Sequence, residues 1–104
     1  MSIVHQGRRL ETSASGRLLN AVDWSRDLAE DLARREGFDL APRHWDVIAY
    51  LRDEFFNNSE RRPDLREIVR AMTAKWEEKT SAEAFAELFP GGASQAAKIA
   101  GLPD

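Results

Sequence analysis

A chain of 104 residues with 42% hydrophobic and 32% charged side chains fits one modest core under a solvated surface and is short for two domains. Its net charge of -3 excludes a global pull toward nucleic acid or anionic membrane. The absence of cysteine excludes disulfides, thiolate metal sites and cysteine nucleophiles within these residues.

The start, Met1-Ser2-Ile3-Val4-His5-Gln6-Gly7-Arg8, lacks the apolar core of a signal peptide, and no later run reaches membrane-span length. A cytoplasmic protein with no membrane contact is expected. Ile3 to Gln6 and Arg8 to Thr12 flank Gly7, and Gly16 follows a Ser/Thr-rich stretch. Short β-branched segments punctuated by glycine predict a β-hairpin or three-strand fringe over 1–20. A lone hairpin is marginal in water, so it must lie on helices.

From Asp23, read as an N-cap, the period turns helical. Leu28, Ala29, Leu32 and Ala33 make a stripe that Gly37 stops. Pro42 opens a second helix, with Trp45, Ile48, Ala49, Leu51 and Phe55 on one face and Asn57-Asn58 at its end. Pro63 repeats the start signal ahead of Leu65, Ile68, Val69, Met72 and Trp76. Thr80 and Glu83 have capping-box spacing, and Phe85, Leu88 and Phe89 line a fourth helix that Pro90-Gly91-Gly92 breaks. Ala-rich sequence predicts a short helix over Ser94 to Leu102, packed on the domain, with Pro103-Asp104 frayed. The reading is a mainly α chain: a small orthogonal bundle of about five helices with an N-terminal β-hairpin. One domain spans 1–104, divided into a hairpin region 1–20, a helical core 23–89 and a C-terminal arm 90–104.

Chemistry-bearing residues are sparse. His5 and His44 are the only histidines, without ligand spacing, so no metal site is expected. The neighbours Asp53-Glu54 and Glu77-Glu78 point about 100° apart on a helix and cannot converge on a substrate. No phosphate loop or nucleophile elbow occurs, so neither a catalytic residue nor a cofactor is expected. Trp24, Trp45 and Trp76 fall on apolar faces and read as core. Arg61, Arg62, Arg66 and Arg70 form a basic docking face. Its partner is an acidic protein or, as an alternative, DNA, with the helices flanking Asn57–Arg62 acting as a helix-turn-helix.

Gly16-Arg17-Leu18-Leu19, Leu40-Ala41-Pro42-Arg43-His44-Trp45, Arg62-Pro63 and Ile68-Val69-Arg70 resemble successive segments of the DsrC/TusE family of sulfur-relay proteins. The most specific block is Leu88-Phe89-Pro90 to Gly92, then Gln95-Ala96-Ala97-Lys98-Ile99-Ala100-Gly101-Leu102-Pro103. The resemblance spans nearly the whole chain and implies a small helical bundle with a hairpin. It further implies a mobile C-terminal arm that carries sulfur on a terminal cysteine. In TusE-type members that sulfur feeds tRNA wobble-uridine thiolation, and DsrC-type members serve the dissimilatory sulfite reductase system. Here Ala97 stands at the DsrC-type upstream cysteine, the terminal cysteine would fall beyond Asp104, and Ala93, Ser94 and Asp104 depart from the usual residues.

A thiolate is what holds and passes a persulfide. The expectation is therefore a cysteine-less relay protein that is not an enzyme and regulates by docking to sulfur-transfer or sulfite-reductase-type partners. Gln95, Lys98, Ile99, Gly101, Leu102 and Pro103 are the arm residues expected to meet the partner. The alternatives are a TusE-type persulfide carrier whose tip lies beyond Asp104, and a DNA-binding regulator.

Overall fold

A computed structural model describes residues 1–104. Strands β1 (Ser2–His5) and β2 (Arg8–Glu11) pair antiparallel, with His5 opposite Arg8. Gln6 and Gly7 both have positive φ, 51° and 76°, the signature of a type I′ turn whose twist suits a hairpin. The third strand of the fringe reduces to a single bridge between Thr12 and Leu18.

A 3-10 turn (Ala21–Asp23) precedes α1 (Arg26–Arg35). The N-cap of α1 is Ser25, not Asp23: the Ser25 hydroxyl accepts from the Leu28 amide at 3.1 Å. Gly37 ends α1 as expected. Its φ of +96° and the bonds from Phe38 to Ala33 and from Gly37 to Arg34 make a Schellman cap. Helix α2 (Pro42–Asn57) has its proline in the first turn. Helix α3 (Leu65–Trp76) begins one residue after Asp64, which shares a reciprocal capping box with Glu67. In α4 (Ala82–Leu88) the capping residue is Ser81 rather than Thr80, whose hydroxyl bonds the Glu78 carbonyl instead. Helix α5 (Gly92–Ile99) starts two residues ahead of its expected position.

The hydrophobic core draws on every helix and on the hairpin, from Leu10 and Leu18 through Leu28, Ile48 and Ile68 to Phe89, Ile99 and Leu102. Helix α5 packs on both α1 and α2, while α3 bridges α2 and α4. His44 joins two helix ends. Its Nδ1 accepts from the Ala41 amide at 2.9 Å, which leaves Nε2 as the protonated nitrogen, donating to the Leu88 carbonyl at 2.8 Å. Both ring nitrogens are thereby engaged in holding the start of α2 to the end of α4.

The three tryptophans pack against the core from its boundary rather than inside it. Each is half-buried, with an arginine guanidinium over its ring: Arg52 on Trp24 and Arg26 on Trp45 at 4.0 Å, Arg43 on Trp76 at 4.4 Å. An indole has a polar N–H that favours the boundary over the interior. Trp24 donates to a carbonyl and Trp76 to Asp46.

Polar contacts fasten the hairpin to α1. His5 Nδ1 lies 3.1 Å from Asp31, and Arg35 bonds both Asp31 at 3.0 Å and the Val4 carbonyl at 2.7 Å. The His5 hydrogen bond first, then that of Arg35, holds the Asp31 carboxyl below its ordinary pKa. A lowered carboxylate stabilises the fold above the unfolded-state pKa and loses that contribution as pH falls through the folded one. Acid should therefore loosen the hairpin before the bundle. Amide exchange of Ile3 to Leu10 is expected to accelerate below the ordinary carboxylate range while α2 amides stay protected. Simultaneous loss of protection in both would refute this attachment.

Candidate functional site

The arm is the candidate site, and it is docked rather than free. After α5 the chain turns through Gly101, whose φ is +76°. Leu102 donates to Ala97 and Gly101 to Lys98, a second Schellman cap. This cap aims Leu102 back into the bundle, where Leu102 is 1% and Ile99 0% exposed. Covering two such side chains contributes about 1.5–3 kcal/mol each.

A polar cradle fixes the arm's main chain. The Trp24 indole donates to the Ile99 carbonyl at 2.8 Å. Arg52 donates to the Ala100 carbonyl at 2.7 Å and to the Ala21 carbonyl at 3.4 Å, between the rings of Trp24 and Phe56. Burial lowers the pKa of this guanidinium, though arginine keeps its charge at any ordinary pH. One side chain thus ties α2, the 3-10 turn and the arm together.

The arm's last residues are held, not frayed. Arg62 donates to the carbonyls of Pro103 and Asp104 at 3.3 and 3.0 Å. Ser15 donates to the Asp104 carboxylate at 2.8 Å, and Arg17 lies 3.4 Å from it. The hydroxyls of Ser13 and Ser15, then the charges of Arg17 and Arg62, pull the Asp104 carboxyl below its ordinary pKa. The surface around Asp104 is therefore cationic and rich in donors, a setting that favours anions, thiolates included.

The six expected arm residues divide by burial. Ile99, Gly101 and Leu102 face inward, and Pro103 is half-buried. Gln95 and Lys98 reach Glu36 at the end of α1, at 2.8 and 3.5 Å. In the docked arm, Gln95, Lys98 and Pro103 are the ones with surface to offer.

The basic face divides too. Arg61 pairs with Glu54 and Glu67, and Arg62 is taken up by the arm. Arg66 and Arg70 remain exposed on α3. Sequence reasoning missed Arg17, Ser15, Trp24 and Arg52 as arm-holding residues. A tryptophan N–H that needs a partner was the one available signal.

The DsrC like protein family matches residues 4–104. The chain is 42% identical to sulfurtransferase TusE of Escherichia coli (strain K12) over 105 aligned residues, covering 97% of this chain and 94% of that protein. The fold superposes on the oxidized gamma-subunit of the dissimilatory sulfite reductase (DsrC) from Archaeoglobus fulgidus with a TM-score of 0.89 at 29% identity, covering 100% of this chain and 96% of the other. Allochromatium vinosum DsrC gives 0.87 at 31% identity, again over 100% of this chain and 96% of the other. No helix is long and apolar enough to cross a membrane.

These relatives correct one expectation. The sequence alone points away from an enzyme, whereas the relatives at 42% identity are named sulfurtransferases. Residues 1–104 contain no cysteine, so no thiol among them can hold a persulfide. With the hairpin, the five helices and the Leu88–Pro103 arm all matching, the chain belongs to the DsrC/TusE family of sulfur-relay proteins.

Proposed function

We propose that the protein is a TusE-type sulfurtransferase component, serving a cytoplasmic relay that thiolates tRNA. The observation that carries this reading is the arm. Its Leu88–Pro103 block folds onto the bundle and places Asp104 at the surface between Arg17 and Arg62. The 42% identity to a protein named as a sulfurtransferase supports the same reading.

In persulfide transfer an acceptor thiolate attacks the outer sulfur of a donor persulfide. The donor's S–S bond breaks, a new S–S bond forms on the acceptor, and the donor leaves as thiolate. No residue among 1–104 is a thiol, so the group that holds sulfur lies outside them. Residues 1–104 supply the docking surfaces and an arm with two addresses, docked and extended. Arg17 and Arg62 stabilise negative charge around Asp104.

Intact-mass analysis of the protein isolated from its own cells, before and after alkylation and after exposure to a persulfide donor, tests this. One alkylatable thiol C-terminal to Asp104 and a species heavier by one sulfur atom are expected. A protein with no thiol and no sulfur uptake would overturn the carrier role and leave docking to sulfur-transfer partners as the contribution of this chain.

A further inference from the structure

We propose that the groove between α3 and the start of α4 is the docking site for an acidic, amphipathic helical segment of a protein partner. Leu65, Val69 and Ala82 give an open cavity of about 300 Å³ an apolar floor, flanked by Arg66 and Arg70. That volume is small for a cofactor and suits one large side-chain anchor.

The charge at its edge is uncompensated. Arg66 and Arg70 enter no ion pair and no hydrogen bond, whereas the acids beside them on α3 are engaged. Asp64 caps the helix, and Glu67 bonds the Asp64 amide and pairs with Arg61. Two free guanidinium groups one turn apart therefore persist on a chain of net charge -3. Guanidinium matches carboxylate in a two-bond fork. Carboxylates one turn apart on a partner helix would meet Arg66 and Arg70 together, with an apolar residue between them entering the Leu65–Val69 floor.

Nucleic acid is the weaker fit. Two cations beside an apolar floor give a small phosphate footprint, and Arg61 and Arg62 are already occupied. None of the residues lining the groove is among those that hold the arm. A partner bound there leaves the arm free to undock, which deepens the relay reading by naming where the partner rests.

The test uses the full chain and a labelled synthetic helical peptide with two glutamates one turn apart beside a leucine anchor. Its counterpart carries lysines in place of the glutamates, and a short RNA duplex is the third probe. Anisotropy titrations should show the glutamate peptide preferred over both others. The double variant Arg66→Glu/Arg70→Glu should weaken that peptide about tenfold or more and bind the lysine peptide instead. Arg34→Glu, a change at another exposed arginine, should leave the preference unaltered. Three results overturn the site: an unchanged preference in the double variant, an equal effect of Arg34→Glu, or tighter binding of the duplex. Peptide preference and sulfur uptake are separate readouts, so this site and the carrier role can fail independently.

Discussion

Gly101→Ala should be among the most damaging single changes in this chain, lowering stability by about 3 kcal/mol. Two costs combine. Left-handed backbone costs a non-glycine residue roughly 1–2 kcal/mol, and Gly101 has a φ of +76°. A methyl group at this position would also stand 2.3 Å from Trp24 Cδ1 and 2.6 Å from Cγ, and overpacking of that kind costs about 1–3 kcal/mol. The indole cannot retreat without giving up its bond to the Ile99 carbonyl. Gly37→Ala separates the two costs, because Gly37 has a φ of +96° and nothing lies within 4 Å of where its methyl group would stand. Urea unfolding of both variants is the measurement. Gly37→Ala should lose about 1 kcal/mol and Gly101→Ala clearly more. Equal losses would mean that Trp24 gives way freely and that the arm's close approach is not a constraint.

The contrast between these glycines also shows what a sequence can disclose. Gly37 was legible as a stop signal, because a glycine after an apolar stripe marks a C-terminal cap, whereas the helix expected over Ser94 to Leu102 ends at Ile99, ahead of Gly101. That Gly101 also meets an indole from a residue far away in the chain was not legible, since sequence spacing says nothing about which elements touch. Helix starts failed in a related way. Asp23 and Thr80 have good capping chemistry, yet Ser25 and Ser81 do the capping. Several adjacent residues could each cap, and packing of the apolar stripe decides which one falls at the boundary.

The site was half legible. The Leu88–Pro103 block pointed to the arm, and alanine content with Ile99 and Leu102 pointed to a packed helix, as found. The arginines were harder. Arg62, Arg66 and Arg70 share a spacing that suggests one face, but Arg62 precedes the cap of α3 and turns to the arm carbonyls instead. Arg52 gave no signal at all, because an arginine in the middle of an amphipathic helix ordinarily reads as solvated surface. Its role arises where α2 meets the 3-10 turn and the arm, neither of which is near Arg52 in the chain.

Arg52→Ala is accordingly expected to release the arm without unfolding the bundle. The change removes the charged donor from the Ala100 carbonyl, and a hydrogen bond to a charged group contributes about 1.5–3 kcal/mol. It also removes the cation from the faces of Trp24 and Phe56, each worth about 0.5–1 kcal/mol at a partly exposed site. Because Ile99 and Leu102 remain apolar, the arm still has a reason to dock, so the loss appears as more frequent opening rather than detachment. Docking ties down about ten residues at roughly 1–2 kcal/mol of backbone entropy each, so the balance is close and one lost anchor shifts it. Amide exchange read residue by residue is the measurement. Leu102 and Gly101, which donate back to Ala97 and Lys98, should exchange faster by one to two orders of magnitude, the equivalent of about 1.4–2.8 kcal/mol. Ile48, Leu51 and Ile68, buried in α2 and α3, should change much less. A uniform loss of protection across α2, α3 and the arm would show that the arm is an inseparable part of the core, and a relay that needs it to extend would then have to unfold the domain.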